Sequence, residues 1–109
     1  MALDVGALAQ AMLGAAKGKL KKQWPVIKEY AAAEARKTAE TLALIERLRL
    51  SGEISPKEAR LLLEMQQNSA KAVLMTVEGL GLLAAEAAIN AAINAVRTTV
   101  NKALGFALI

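Results

Sequence analysis

The chain contains no cysteine and no histidine, and its aromatic side chains are one Trp, one Tyr and one Phe. Each absence removes a class of chemistry. Without cysteine there are no disulfides and no thiolate nucleophile, although cysteine content alone says nothing about compartment. Without histidine as well, the usual nucleophile–base pairs, imidazole acid–base catalysis and most transition-metal sites are excluded. Carboxylate pairs are still present. Glu58/Glu64 and Glu78/Glu86 lie six and eight positions apart, and neither spacing makes a di-metal motif without the histidine of Glu-x-x-His. There is no glycine-rich phosphate loop: "GLG" at 79–81 follows no strand, and Gly14 and Gly18 fall inside a helical pattern. These exclusions describe a non-enzymatic protein with no cofactor and no metal.

Proline is also scarce. Pro25 and Pro56 are the only two, and both stand where a helix would begin. Sustained period-two alternation is missing as well, so the chain reads as all-α. Its 109 residues suit a single domain with a thin core. The pattern predicts three to four helices over about 3–22, 25–50, 56–78 and 82–105, with a central antiparallel hairpin and a long, apolar C-terminal helix.

In the first segment Val5, Ala9, Met12, Leu13, Ala16 and Leu20 recur at helical spacing and predict one buried face. Gly14 and Gly18 each weaken a helix interior by about 1 kcal/mol relative to Ala, so packing must hold it. The same "GAAKG" is a small-xxx-small pattern that permits close helix approach. Trp24-Pro25 is a joint, because proline biases the residue before it towards extended backbone. Beyond it, Ile27, Tyr30, Ala31, Thr38, Leu42, Ile45 and Leu48 predict an apolar stripe, interrupted by Glu34. Arg36–Glu40 and Arg60–Glu64 are spaced for i,i+4 pairing.

The clearest local signal is "LSGEISPKEA" at 50–59. Gly52 can end a helix in the left-handed conformation. Ser55, Pro56 and Glu58 then supply an N-cap, a proline at N1 and the returning glutamate of a capping box. Ile54 is placed to staple onto the new helix. A short loop between two helices returns the chain antiparallel.

From Pro56 to Gly105 the helical pattern never clearly stops. A continuous helix of that length would measure roughly 75 Å, whereas a compact chain of this size has a radius of gyration of about 13 Å. Either the helix breaks at "EGLGLL", near Gly79 and Gly81, or the protein is elongated and covered by other copies. The run 72–83 would be apolar almost all round, as a fully buried helix is.

Charge is unevenly placed. The net charge is +4, yet Lys17, Lys19, Lys21, Lys22 and Lys28 form an acid-free basic run around Trp24, while 72–96 holds only Glu78 and Glu86. The basic run is a candidate contact for anionic lipid, with Trp24 as an interfacial aromatic. Base readout of nucleic acid fits poorly, since the run has one aromatic and no arginine. A solvated helix terminus that complements the dipole is the simplest alternative. Residues 72–96 are long enough for a bilayer core of about 30 Å. Acidic residues near a span's centre cost about 2.5–3.5 kcal/mol each, however, which disfavours a lone span. Asp4 stands where a signal peptide would carry positive charge, so the chain reads as cytoplasmic at synthesis and without such a signal, membrane association being a further option.

Within that stretch "AAINAAIN" repeats a tetrapeptide at 87–94. At helical pitch Glu86, Asn90, Asn94, Arg97 and Asn101 fall within roughly 80° of one another. They form a polar stripe beside Ile89, Ile93, Val96 and Val100, with Ala87, Ala88, Ala91, Ala92 and Ala95 as small surfaces. Such a stripe can face water, a lumen or another copy, and buried asparagines set register in helical assemblies. The residues expected at a subunit interface are Ala87, Ile89, Asn90, Ala91, Ile93, Asn94, Arg97 and Asn101. The terminal "ALGFALI" adds an apolar tail, exposed unless covered.

The sequence therefore favours a self-assembling structural protein, a homo-oligomer or filament joined through its C-terminal helix. The alternative is a membrane-active protein of the pore-forming, lysis or genome-ejection type. A monomeric helical adaptor for one other protein is the third reading.

Overall fold

The computed structural model describes residues 2–109. Four helices follow one another: α1 (Val5–Lys19), α2 (Trp24–Leu50), α3 (Pro56–Leu74) and α4 (Leu82–Leu104). Each boundary has a local cause. Asp4 Oδ1 accepts the Ala7 N–H at 3.0 Å and starts α1 two residues later than expected from the pattern 3–22. A turn over 21–23 then leads into α2, and Trp24 lies in its first turn instead of being extended. Docking of the Trp24 ring against the core overrides the pre-proline bias.

Between α2 and α3 the backbone carries a Schellman motif. Gly52 takes φ +74°, its N–H reaches the Arg49 carbonyl at 3.1 Å, and the Glu53 N–H reaches Leu48 at 2.9 Å. The capping box follows: Ser55 Oγ accepts the Glu58 N–H at 3.1 Å, and Glu58 Oε1 accepts the Ser55 N–H at 3.0 Å. The Ser55 backbone N–H, and beside it the Ser55 hydroxyl, hold the Glu58 carboxyl below its usual value. Thr41 on α2 and Gln66 on α3 meet at 3.4 Å, equidistant from the loop, so the chain runs back along itself.

The helix from Pro56 does break, and earlier than 78. It ends at Leu74, and 75–80 form a turn in which Gly79 has φ +86°. The stretch 72–83 is thus not one buried apolar helix. Leu74, Val77 and Leu80 are buried, while Met75, Leu82 and Leu83 are exposed. The folded chain has a radius of gyration of 13.6 Å and extents of 43 × 22 × 18 Å.

α1 packs mainly on α4 and α2, and α2 packs on α3; α4 barely meets α3. On α1 the buried row is Leu8, Met12 and Ala16, continued by the C-cap Leu20, with the expected Val5, Ala9 and Leu13 only half-buried. On α2 the expected stripe holds at Ile27, Ala31, Thr38, Leu42 and Ile45, but Tyr30 is 49% exposed and Glu34 and Glu46 are buried. Glu46, 1% exposed, accepts the Ala2 and Leu3 N–H groups at 3.0 and 3.3 Å and ties the N-terminal segment to α2.

The core falls into two clusters. One gathers Leu8, Met12, Leu42, Ile45, Leu63, Ile93, Val96 and Val100 with Leu108 from the tail. The other gathers Leu20, Ile27, Leu74, Val77 and Leu80 with Ala16, Ala31, Ala85 and Ala88.

The tail is not exposed, contrary to its apolar sequence. Asn101 Oδ1 accepts the Leu108 and Ile109 N–H groups at 2.9 and 3.1 Å, and its Nδ2 donates to the Ile109 carbonyl at 3.2 Å. Phe106 lies between Arg49 and Arg60, whose guanidinium carbons stand 5.2 and 5.5 Å from the ring centre. Arg60 donates to the Ala107 carbonyl at 3.2 Å. The expected Arg60–Glu64 pair does not form among the described residues, whereas Arg36–Glu40 does, at 3.9 Å.

Candidate functional site

The end of the bundle where α1 leads into α2, and where the 75–80 turn leads into α4, carries the chain's most unusual surface. Lys17 and Lys19 finish α1, Lys21 and Lys22 lie in the turn, and Lys28 follows one turn into α2. All of them are exposed. Trp24 is half-buried against the second cluster, and Lys17 Nζ sits 5.7 Å from its ring centre. The indole therefore meets the core on one side and a lysine ammonium on another.

Large apolar side chains stand open at the same end of the bundle. Val26 is 67% exposed, and Tyr30, one turn on, also faces outward. Across the second cluster the 75–80 turn presents Met75 and the start of α4 presents Leu82 and Leu83, the last 83% exposed. Glu29 and Glu78 are the exposed acids nearby. Lysine stems tolerate apolar surroundings while the ammonium reaches water or an anion. This end thus carries exposed apolar side chains and five exposed lysines together.

The residues expected at a subunit interface part company. Asn90, Asn94 and Arg97 point outward, and Arg97 Nη2 donates to Asn94 Oδ1 at 2.6 Å. Ala87, Ile89 and Ala91 are half-buried. Ile93 is buried in the chain's own core. Asn101 is spent on the tail. The outward asparagines border an open cleft between α3 and α4, with Gln67, Arg97 and Ile109 on its other sides.

Gly14 and Gly18 face outward, and nothing lies within 4 Å of where a Cβ would sit. The small-xxx-small pattern makes no close helix contact within this chain.

Among the described residues no group of three or more acidic side chains is gathered as a metal would need, and no helix is long and apolar enough to cross a membrane. Two carboxylates are buried in the bundle: Glu46, which holds the N-terminal segment, and Glu34, which lies against a cavity. Glu46 gave no pattern signal, whereas Glu34 stood visibly in the apolar stripe. Compared with known protein families, curated proteins and solved structures, the chain finds no match.

Proposed function

We propose that this protein is a non-enzymatic helical module that docks by its lysine-bearing end on an anionic membrane surface. One observation carries the reading: Val26, Tyr30, Met75, Leu82 and Leu83 are exposed at the same end as Lys17, Lys19, Lys21, Lys22 and Lys28. Each lysine near an anionic surface contributes about 1 kcal/mol, and apolar burial adds roughly 25 cal/mol per Å². Neither contribution is large alone, and stable attachment needs both. Docking leaves the four helices intact and requires no spanning segment.

Vesicle flotation tests this. The protein should float with vesicles containing phosphatidylserine, stay down with pure phosphatidylcholine, and lose binding as salt rises. Leu83→Glu should abolish flotation without altering helicity, because that side chain packs on nothing in the fold. No flotation with anionic vesicles at low salt sinks the reading.

A second reading is self-assembly, supported by outward Asn90 and Asn94 on α4 and by Leu61 and Met65, exposed one turn apart on α3. In it the copies meet on the outer faces of α3 and α4, without Ile93. Light scattering separates the two readings: a discrete oligomer in the absence of lipid, dissociated by Met65→Lys, favours assembly.

A further inference from the structure

Two turns close the lysine-bearing end of the bundle, and their outward surfaces are unlike. The α1–α2 turn carries Lys21 and Lys22, with Lys19 before it and Lys28 after it. The 75–80 turn is nearly free of charge. Its Val77 and Leu80 are buried and anchor it to the second cluster, while Met75, Thr76, Leu82 and Leu83 face outward with Gly79 and Gly81. From Ala72 to Ala85 the only charged side chain is Glu78, and it stands exposed in the middle of that apolar rim.

Among the described residues Glu78 makes no ion pair and no hydrogen bond. The charged groups on the elements around it are Lys17, Lys19, Lys21, Lys22, Lys28 and Glu29 on the α1–α2 side, Lys71 on α3 and Glu86 on α4. None of the lysines is within ion-pair reach of its carboxylate.

That placement matters at a bilayer. A lysine stem lets its ammonium stay at the headgroups while apolar neighbours go deeper. A glutamate is shorter, so an ionised Glu78 cannot follow Met75, Leu82 and Leu83 inward without losing its water. The cost belongs to the charged form, and apolar surroundings favour the neutral carboxyl. An anionic surface at about −30 mV also gathers protons roughly threefold over bulk.

We propose that the 75–80 turn, with the start of α4, is the element that enters the bilayer, and that Glu78 sets its depth by gaining or losing a proton. This division of labour rests on the membrane-docking reading and splits docking into two states. With Glu78 ionised, the lysines hold the protein at anionic headgroups, and Leu82 and Leu83 reach only the interface. With Glu78 neutral, Met75, Leu82 and Leu83 pass into the acyl region, and attachment no longer depends on charge alone. Mild acidity is the signal.

The test uses the whole chain and vesicles of phosphatidylglycerol and phosphatidylcholine, whose charge is the same at neutral pH and at about pH 5. Cysteine is absent from the chain, so Leu83→Cys places a single environment-sensitive fluorophore at the exposed start of α4. Histidine is absent too, which leaves carboxyls as the side chains that titrate over this range. At neutral pH the label should report the headgroup region, and high salt should release the protein. Near pH 5 its emission should shift to the blue, and binding should rise about tenfold and resist salt. Glu78→Gln should give the deep, salt-resistant state already at neutral pH, whereas Glu29→Gln, on the lysine side, should not. Both positions are exposed, so helicity and the thermal transition should match the parent. Flotation with a label that responds alike at both pH values overturns the proposal and leaves docking standing. So does Glu78→Gln behaving as the parent, or Glu29→Gln matching Glu78→Gln. No flotation at either pH overturns docking and the gate together.

Discussion

The two ends of this bundle are built from the same helices and solve burial differently. At the end where α2 turns into α3, the core uses Leu42, Ile45, Leu63, Val96 and Val100, and both chain termini fold over it. Glu46 holds the N-terminal segment and Asn101 holds the C-terminal tail. At the other end Ala16, Ala31, Ala85 and Ala88 share the core with Leu20, Leu74 and Leu80, a small cavity intervenes, and Val26, Tyr30, Met75, Leu82 and Leu83 stay exposed. The first end is closed by polar ties to the backbone, and the second has no such closure. The difference teaches that a surplus of apolar residues in a small chain need not mean a subunit interface. The closed end absorbs most of its share internally and leaves Leu50 and Leu61 exposed, while the other end leaves Val26, Tyr30, Met75, Leu82 and Leu83 exposed.

The largest effect that probes this contrast is a core truncation at each end. Ile45→Ala, at a fully buried position of the closed end, should destabilise by about 2–5 kcal/mol. Leu74→Ala, beside the cavity and the loose α3–α4 junction, should cost clearly less, about 2 kcal/mol, because part of its surroundings is already empty. Urea midpoints at unchanged slope measure both. Equal losses would mean that the two ends are equally well packed, and the comparison would fail.

A middle-sized effect lies in the ties. Glu46→Ala removes the acceptor for the Ala2 and Leu3 N–H groups and should cost about 2 kcal/mol, since hydrogen bonds to a charged group contribute roughly 1.5–3 kcal/mol and the freed donors recover some water. Hydrogen exchange should quicken at Leu3 and along the α1 N-terminus, and not at the 75–80 turn. Quickening at both ends would show one cooperative core and blur the distinction.

Much of this fold was legible in the sequence, and the parts that were not share a cause. The four helices, the Gly52 stop, the capping box and the break near Gly79 all rest on local chemistry within a few residues. Chain length left two options, a break near Gly79 and Gly81 or an elongated protein covered by other copies, and the fold takes the break. What was hidden depends on contacts far apart in the chain. Asn101 reads as one more member of a polar stripe, yet its partners are the backbone of Leu108 and Ile109, in a tail whose Phe106 lies against Arg49 and Arg60. Ile93 reads as half of a repeat, but α1 and α2 draw it into the core. At the candidate docking end the lysines were plain, while Val26, Tyr30 and Leu83 lie on helices whose outward faces follow from packing alone.

The smallest effect sharpens the comparison through pH. The capping box at the closed end is exposed, and its Glu58 carboxyl sits below the usual 4.5 because the Ser55 N–H, and with it the Ser55 hydroxyl, favours the charged form. A group whose value is lowered by folding stabilises the fold above its unfolded value, and that contribution disappears as pH falls through the folded value. Glu58→Gln should therefore be less stable than the parent near neutral pH, and the gap should close below the ordinary carboxylate range. Ser55→Ala removes the N-cap acceptor itself and should cost about 1 kcal/mol at neutral pH. Because α3 begins at this box and ends at the cavity, loosening it should speed exchange in the first turn of α3 and leave the amides around Leu74 unchanged. Exchange that rose equally along the whole of α3 would show that the helix transmits the loss from one end to the other, and the two ends would then be one cooperative unit.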